Sequence, residues 1–81
     1  MKQHTLKTEP EYWEAQRRGD KTFEIRKNDR DFKVGDILIL VYHDGESYPD
    51  KVLFRDVSYI TDYAQKKGYV VMATKPRGFI V

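Results

Sequence analysis

Residues 19–42 read GDKTFEIRKNDRDFKVGDILILVY, and the fold turns on how this stretch divides. Its last part, Ile37 to Tyr42, is a continuous apolar run of strand length, the pattern of a strand covered on both faces. Its first part alternates. Phe23 and Ile25 fall on one parity and Thr22, Glu24 and Arg26 on the other, which predicts a strand with one apolar face and one charged, outward face. Between the two, Asn28 to Asp31 has turn chemistry, and Val34-Gly35-Asp36 leads tightly into the apolar strand.

Working outward, Thr5 to Lys7 reads as a short first strand, followed by a helix over TEPEYWEAQRRG. Thr8 or Glu9 supplies a cap and Pro10 suits the first turn. Glu9 and Glu11 favour the positive dipole end, Arg17 and Arg18 the negative end, and Gly19 stops the helix. Tyr12, Trp13, Ala15 and Gln16 define the face that meets the rest of the fold. Downstream, His43 to Asp50 reads as a hairpin loop and Lys51 to Thr61 as a long strand. In that strand Val52 and Phe54 share one parity, Val57 and Tyr59 the other, so a bulge is expected. A turn through Gly68 leads to YVVMAT, and residues 75–81 form a terminal segment with its own Pro and Gly. The order predicts an α+β, mainly β fold: a small mixed β-barrel with one helix packed beside it, as a single domain over residues 1–81. An open two-layer α/β sheet is the competing architecture.

At 81 residues no chain is spare for a second core. The absence of cysteine removes disulfides and thiolate metal sites, and suits a reducing compartment. No segment is apolar for long enough to cross a bilayer and the first ten residues have no secretory pattern, so a cytoplasmic protein with no membrane partner is expected. The net charge of +2 is unevenly spread. Residues 17–33 carry seven cations against four acids, residues 34–65 two against six, and residues 66–81 four against none. Such a chain predicts a basic side able to meet phosphate and an acidic side that repels it.

The charged parity around Glu24 is the main candidate for chemistry. Arg26 offers a planar fork for a phosphate or a base edge, Lys21 a point charge or proton acceptor, and Glu24 orients both. The competing reading is a solvated strand face laced with weak ion pairs. Strict alternation sets Lys21 opposite Glu24, so the two meet only where the strand start is twisted or loop-like.

GDKTFEIR resembles the G-x-K-x-x-E-x-R signature of the ASCH domain (activating signal cointegrator homology), with Gly19, Lys21, Glu24 and Arg26 at all four positions. HTLKTEPEYW and FEIRKNDRDFKVGD together resemble a bacterial and phage branch of that family, so the resemblance spans nearly the whole chain. It implies a PUA-like barrel whose charged residues line a groove between helix and barrel, where RNA or a nucleotide-like ligand binds. Lys7 either projects into the same groove or is an ordinary edge-strand lysine, Arg30 either adds a cation there or serves the turn, and Tyr42 either brings a hydroxyl to the groove mouth or, as the residues favour, is buried with one hydrogen bond. The expected partner is RNA, as a short single-stranded or terminal element.

Other residues have plainer readings. Asn28 and Asp29 suit a turn better than base recognition; Tyr12 and Trp13 offer rings for stacking a base, although Trp13 suits the core better. His4 and His43 lack the spacing of a zinc site, and no Walker, Rossmann or G-x-S-x-G motif is present, so neither metal nor cofactor is expected. The resemblance carries two alternatives: an amidohydrolase acting on an acylated nucleoside such as acetylcytidine, with Lys21 as catalytic residue, and a protein–protein adaptor. In the hydrolase branch a threonine stands where this chain has Glu24, and a glutamate on a later strand completes the set. Lys51 to Thr61 and Tyr69 to Lys75 contain no glutamate. The residues therefore favour a binding module over an enzyme.

Overall fold

The computed structural model describes residues 1–77. Five strands and one helix follow in the order β1 (Gln3–Thr8), α1 (Pro10–Arg18), β2 (Phe23–Lys27), β3 (Ile37–His43), β4 (Ser47–Thr61) and β5 (Tyr69–Pro76). They form one curled, half-barrel sheet in the spatial order β1-β3-β4-β5-β2. Only the β1–β3 pair is parallel; β3–β4, β4–β5 and β5–β2 are antiparallel. Among the described residues β1 and β2, neighbours in sequence, are thus the two free edges, and α1 is the connection between them. The barrel expected from sequence is open along this seam.

The helix obeys its terminal signals. Pro10 occupies the first turn, and Gly19 takes a left-handed φ of 86°, which only glycine adopts without strain. Its N–H donates to the Gln16 carbonyl at 3.1 Å, and the Asp20 N–H to the Ala15 carbonyl at 2.9 Å. Neither proposed N-cap acts through its side chain: Glu9 stands at the cap without such a bond, and the Thr8 hydroxyl donates to the Leu6 carbonyl. Trp13 is the anchor. Buried in the cluster of Leu6, Phe32, Leu38, Leu40, Val57, Val70 and Met72, it donates from Nε1 to the Leu40 carbonyl at 3.0 Å. Truncating such a ring to Ala costs about 3–5 kcal/mol.

β3 matches its apolar run, with Leu38 and Leu40 fully buried and Ile37 and Val41 nearly so on the opposite face. Asp36, just before it, is a knot. Its carboxylate accepts from the Lys2 N–H, the Lys33 N–H and His4 Nε2 at 3.0, 3.0 and 2.8 Å, tying the first strand to the turn before β3. Burial opposes its charge, but these bonds outweigh the penalty and hold its carboxyl at about 2, below the usual carboxylate range.

Three expectations are corrected. The hairpin loop is shorter than His43–Asp50, because β4 begins at Ser47. Tyr42 pairs with Tyr48 and Val41 with Val52, so Pro49, Asp50 and Lys51 are extra residues within the strand. The expected bulge is present, with Val57 opposite Thr74 and Tyr59 opposite Ala73, so that Ser58 is the inserted residue. Before it, however, the inward side chains are Leu53, Arg55 and Val57, while Phe54 is exposed. The third correction concerns β2. Phe23 and Ile25 face out and Glu24 is 3% exposed, the reverse of the apolar-in, charged-out strand expected.

Candidate functional site

The inversion of β2 builds the site. Thr22 ends the non-strand lead-in and the regular strand starts at Phe23, which frees Lys21 from strict alternation. Lys21 Nζ donates to Glu24 Oε1 at 2.9 Å and to the Phe23 carbonyl at 2.8 Å. Arg26 Nε donates to the other carboxylate oxygen, Oε2, at 3.0 Å. Gln16, buried on the helix, adds a third donor to Glu24 at 3.2 Å and a bond to the Phe23 carbonyl at 2.9 Å. Glu24 is therefore a buried anion with two cations and an amide on it, and burial is tolerated because its lone pairs are filled.

Behind this triad lies a second charge. Arg55 donates to Gln16 Oε1 at 3.3 Å and to the Gln16 main-chain oxygen at 2.7 Å, and Thr74 Oγ1 donates to Gln16 Oε1 at 3.4 Å. Burial pushes the Arg55 guanidinium below its ordinary pKa. Gln16 thus links a buried cation to a buried anion.

In front of the triad, the seam between β1 and β2 opens into a cleft of about 420 Å³ beside the helix N-terminus. Lys7, Lys21, Glu24 and Arg26 line it, together with Thr8, Glu9 and Ile25. Tyr12 and Phe23, each a little under half exposed, stand on its rim. The Lys21 ammonium lies 4.9 Å from the Phe23 ring centre and 5.4 Å from that of Tyr12, within cation–π range of both. The far terminal nitrogen of Arg26 crosses the seam to the Lys7 carbonyl at 3.1 Å and Thr8 Oγ1 at 3.4 Å.

Four of the six residues proposed from sequence, Lys7, Lys21, Glu24 and Arg26, come together here. Arg30 lies farther along the same seam, donating to the Thr5 carbonyl at 2.8 Å. Tyr42 stands apart from the cleft: its ring packs edge-on to Trp13 and Tyr48 at 5.4 and 5.5 Å, and Lys51 sits 3.8 Å from its centre. Asn28 acts as a turn residue, its side-chain oxygen accepting from the Phe32 N–H at 2.9 Å. His4 is engaged by Asp36 and His43 by Ser47.

A family model matches residues 3–74, a span that holds the whole helix, the triad and both edge strands; it is described as a domain of unknown function, DUF3850. The chain belongs to the DUF3850 family. No curated protein matches it in sequence. Within this DUF3850 domain, sequence reasoning missed Arg55 and Thr74, and placed Phe23 in the core. An arginine alternating with Leu53 and Val57 was the available signal for Arg55, since a charge on the apolar parity of a strand requires an internal partner.

Proposed function

We propose that this DUF3850 domain is an RNA- or nucleotide-binding module of the ASCH, PUA-like kind, and that the seam cleft is its binding site. The observation that carries the reading is the juxtaposition of Lys7, Lys21 and Arg26 with two exposed rings, Tyr12 and Phe23, in one cleft. Cations give affinity for phosphate and rings give sequence-tolerant stacking, the combination that single-strand binders use. The triad fixes Lys21 and Arg26 in place before a ligand arrives, which lowers the ordering cost of binding.

The hydrolase alternative needs Lys21 as a free amine near neutral pH. Here Lys21 is paired with the Glu24 carboxylate and donates to two acceptors, which suits an ammonium that binds anions. Fluorescence anisotropy with short single-stranded RNA tests the proposal. Binding that Arg26→Ala weakens and that a surface change such as Lys66→Ala leaves intact supports the cleft; equal losses would reduce it to diffuse electrostatics.

A further inference from the structure

The seam does not close beyond Arg26. A second depression, of about 620 Å³, continues along it, and Lys7 and Arg26 line both. The two are one groove with a cationic ridge in the middle. The far half differs in chemistry from the near half. Arg30 forms part of its wall, steadied by the Thr5 carbonyl at 2.8 Å, and Val41, Val52 and Pro49 give it apolar surface. Lys7, Val41 and Val52 lie in register across β1, β3 and β4, so this surface belongs to the outer side of the sheet. Pro49 comes from the three extra residues of β4 opposite the Val41–Tyr42 step.

Resting on the reading of the near cleft as a nucleotide site, we infer that the far half is a subsite for the adjoining nucleotide, so that the groove takes two consecutive nucleotides of a single strand. The linking phosphate lies over the Lys7–Arg26 ridge, which among the described residues is the stretch common to both halves. The first base stacks against Tyr12 or Phe23. The second rests on Val41, Val52 and Pro49, with its 3′-oxygen, where a longer strand carries its next phosphate, toward Arg30. Each half is of ordinary small-ligand size, roughly 300–1,000 Å³, so neither needs the other to hold one nucleotide. Among the described residues the apolar far half has no aromatic platform, and its contribution is smaller than that of a stacked base.

Titration of the protein with UMP, with uridine 3′,5′-bisphosphate and with the 5′-phosphorylated dinucleotide pUpU, followed by NMR, separates the terms. The expected order is pUpU tightest, by about fivefold over the bisphosphate, since that step adds the second nucleoside and exchanges a doubly charged monoester for a singly charged diester, which by itself would weaken binding to cations. Val52→Glu and Arg30→Ala each remove this gain and leave UMP affinity within about twofold, with folding checked by the dispersion of the same spectra. Equal affinity for pUpU and the bisphosphate, or a gain that survives both variants, overturns the second subsite while the near cleft stands. Binding of none of the three removes the nucleotide reading of the near cleft, and the subsite with it.

Discussion

Arg55 and Gln16 meet through two hydrogen bonds, 2.7 Å to the glutamine main-chain oxygen and 3.3 Å to its amide oxygen, and among the described residues Arg55 pairs with no carboxylate. A buried cation served by a neutral amide has its desolvation only partly offset. Gln16→Met is therefore expected to destabilise the domain by about 2–3 kcal/mol, a fall in Tm on the order of 10 °C, because it strips partners from Arg55, Thr74 and Glu24 at once. Arg55→Met, which removes the charge itself, costs less. Melting curves of both variants and of the double variant check this: the double should be milder than the sum.

Glu24→Gln leaves Lys21 and Arg26 facing an amide. Breaking a buried pair costs about 3–5 kcal/mol, and the partial exposure of the two cations, 16% and 27% of their side chains, lowers the expectation to roughly 2 kcal/mol. Urea denaturation measures it. A loss below about 0.5 kcal/mol would mean that the carboxylate is solvated.

Asp36 gives the stability a pH dependence of defined sign. Its folded pKa, about 2, lies below the ordinary carboxylate value of 3.8, so its contribution is complete above that value and is lost as pH falls toward 2. The Tm difference between the protein and Asp36→Asn should be largest near neutral pH and shrink between about pH 4 and 2. A difference independent of pH would assign the effect to packing alone.

If RNA binds through Lys7, Lys21, Arg26 and Arg30, roughly three or four phosphates are neutralised, and the log–log salt slope should be about −2 to −3. Anisotropy titrations across a salt series give the slope directly. One several times steeper would move the footprint to the basic segment from Lys66 to Arg77.

No appreciable hydrolysis of acetylated cytidine is expected, because Lys21 is held by Glu24 and the Phe23 carbonyl. Incubation with that nucleoside and chromatographic detection of cytidine checks it. Turnover abolished by Lys21→Ala would establish the hydrolase.

The elements fixed by local rules were legible in the sequence: Pro10 and Gly19 bound the helix, and the apolar run after Asp36 is β3. What escaped is the direction in which β2 and β4 face. Alternation gives two faces and not their identity, and the usual assignment puts Phe23, Ile25 and Phe54 inside. Glu24 and Arg55 turn inward instead because Gln16, from the helix, supplies a donor to one and an acceptor to the other. That partnership spans 39 residues for Arg55, beyond the reach of any local pattern. The cleft was legible to the extent that Lys21, Glu24 and Arg26 lie within six residues of one another. Of its aromatic rim, Tyr12 was named from the sequence as a ring able to stack a base, whereas Phe23 was not, since its exposure follows from the same inversion.

The open seam also bears on how the molecule keeps to itself. An unpaired strand edge invites the edge of another chain, and this domain has two. On β1 the carbonyls of Thr5 and Lys7 are taken by Arg30 and Arg26, and on β2 the Phe23 carbonyl is taken by Gln16 and Lys21. These long charged side chains act as guards against strand addition, occupying acceptors that an invading backbone would need and placing cations where it would have to lie. On the proposed reading, the groups that draw phosphate to the seam are the same ones that make it a poor template for aggregation.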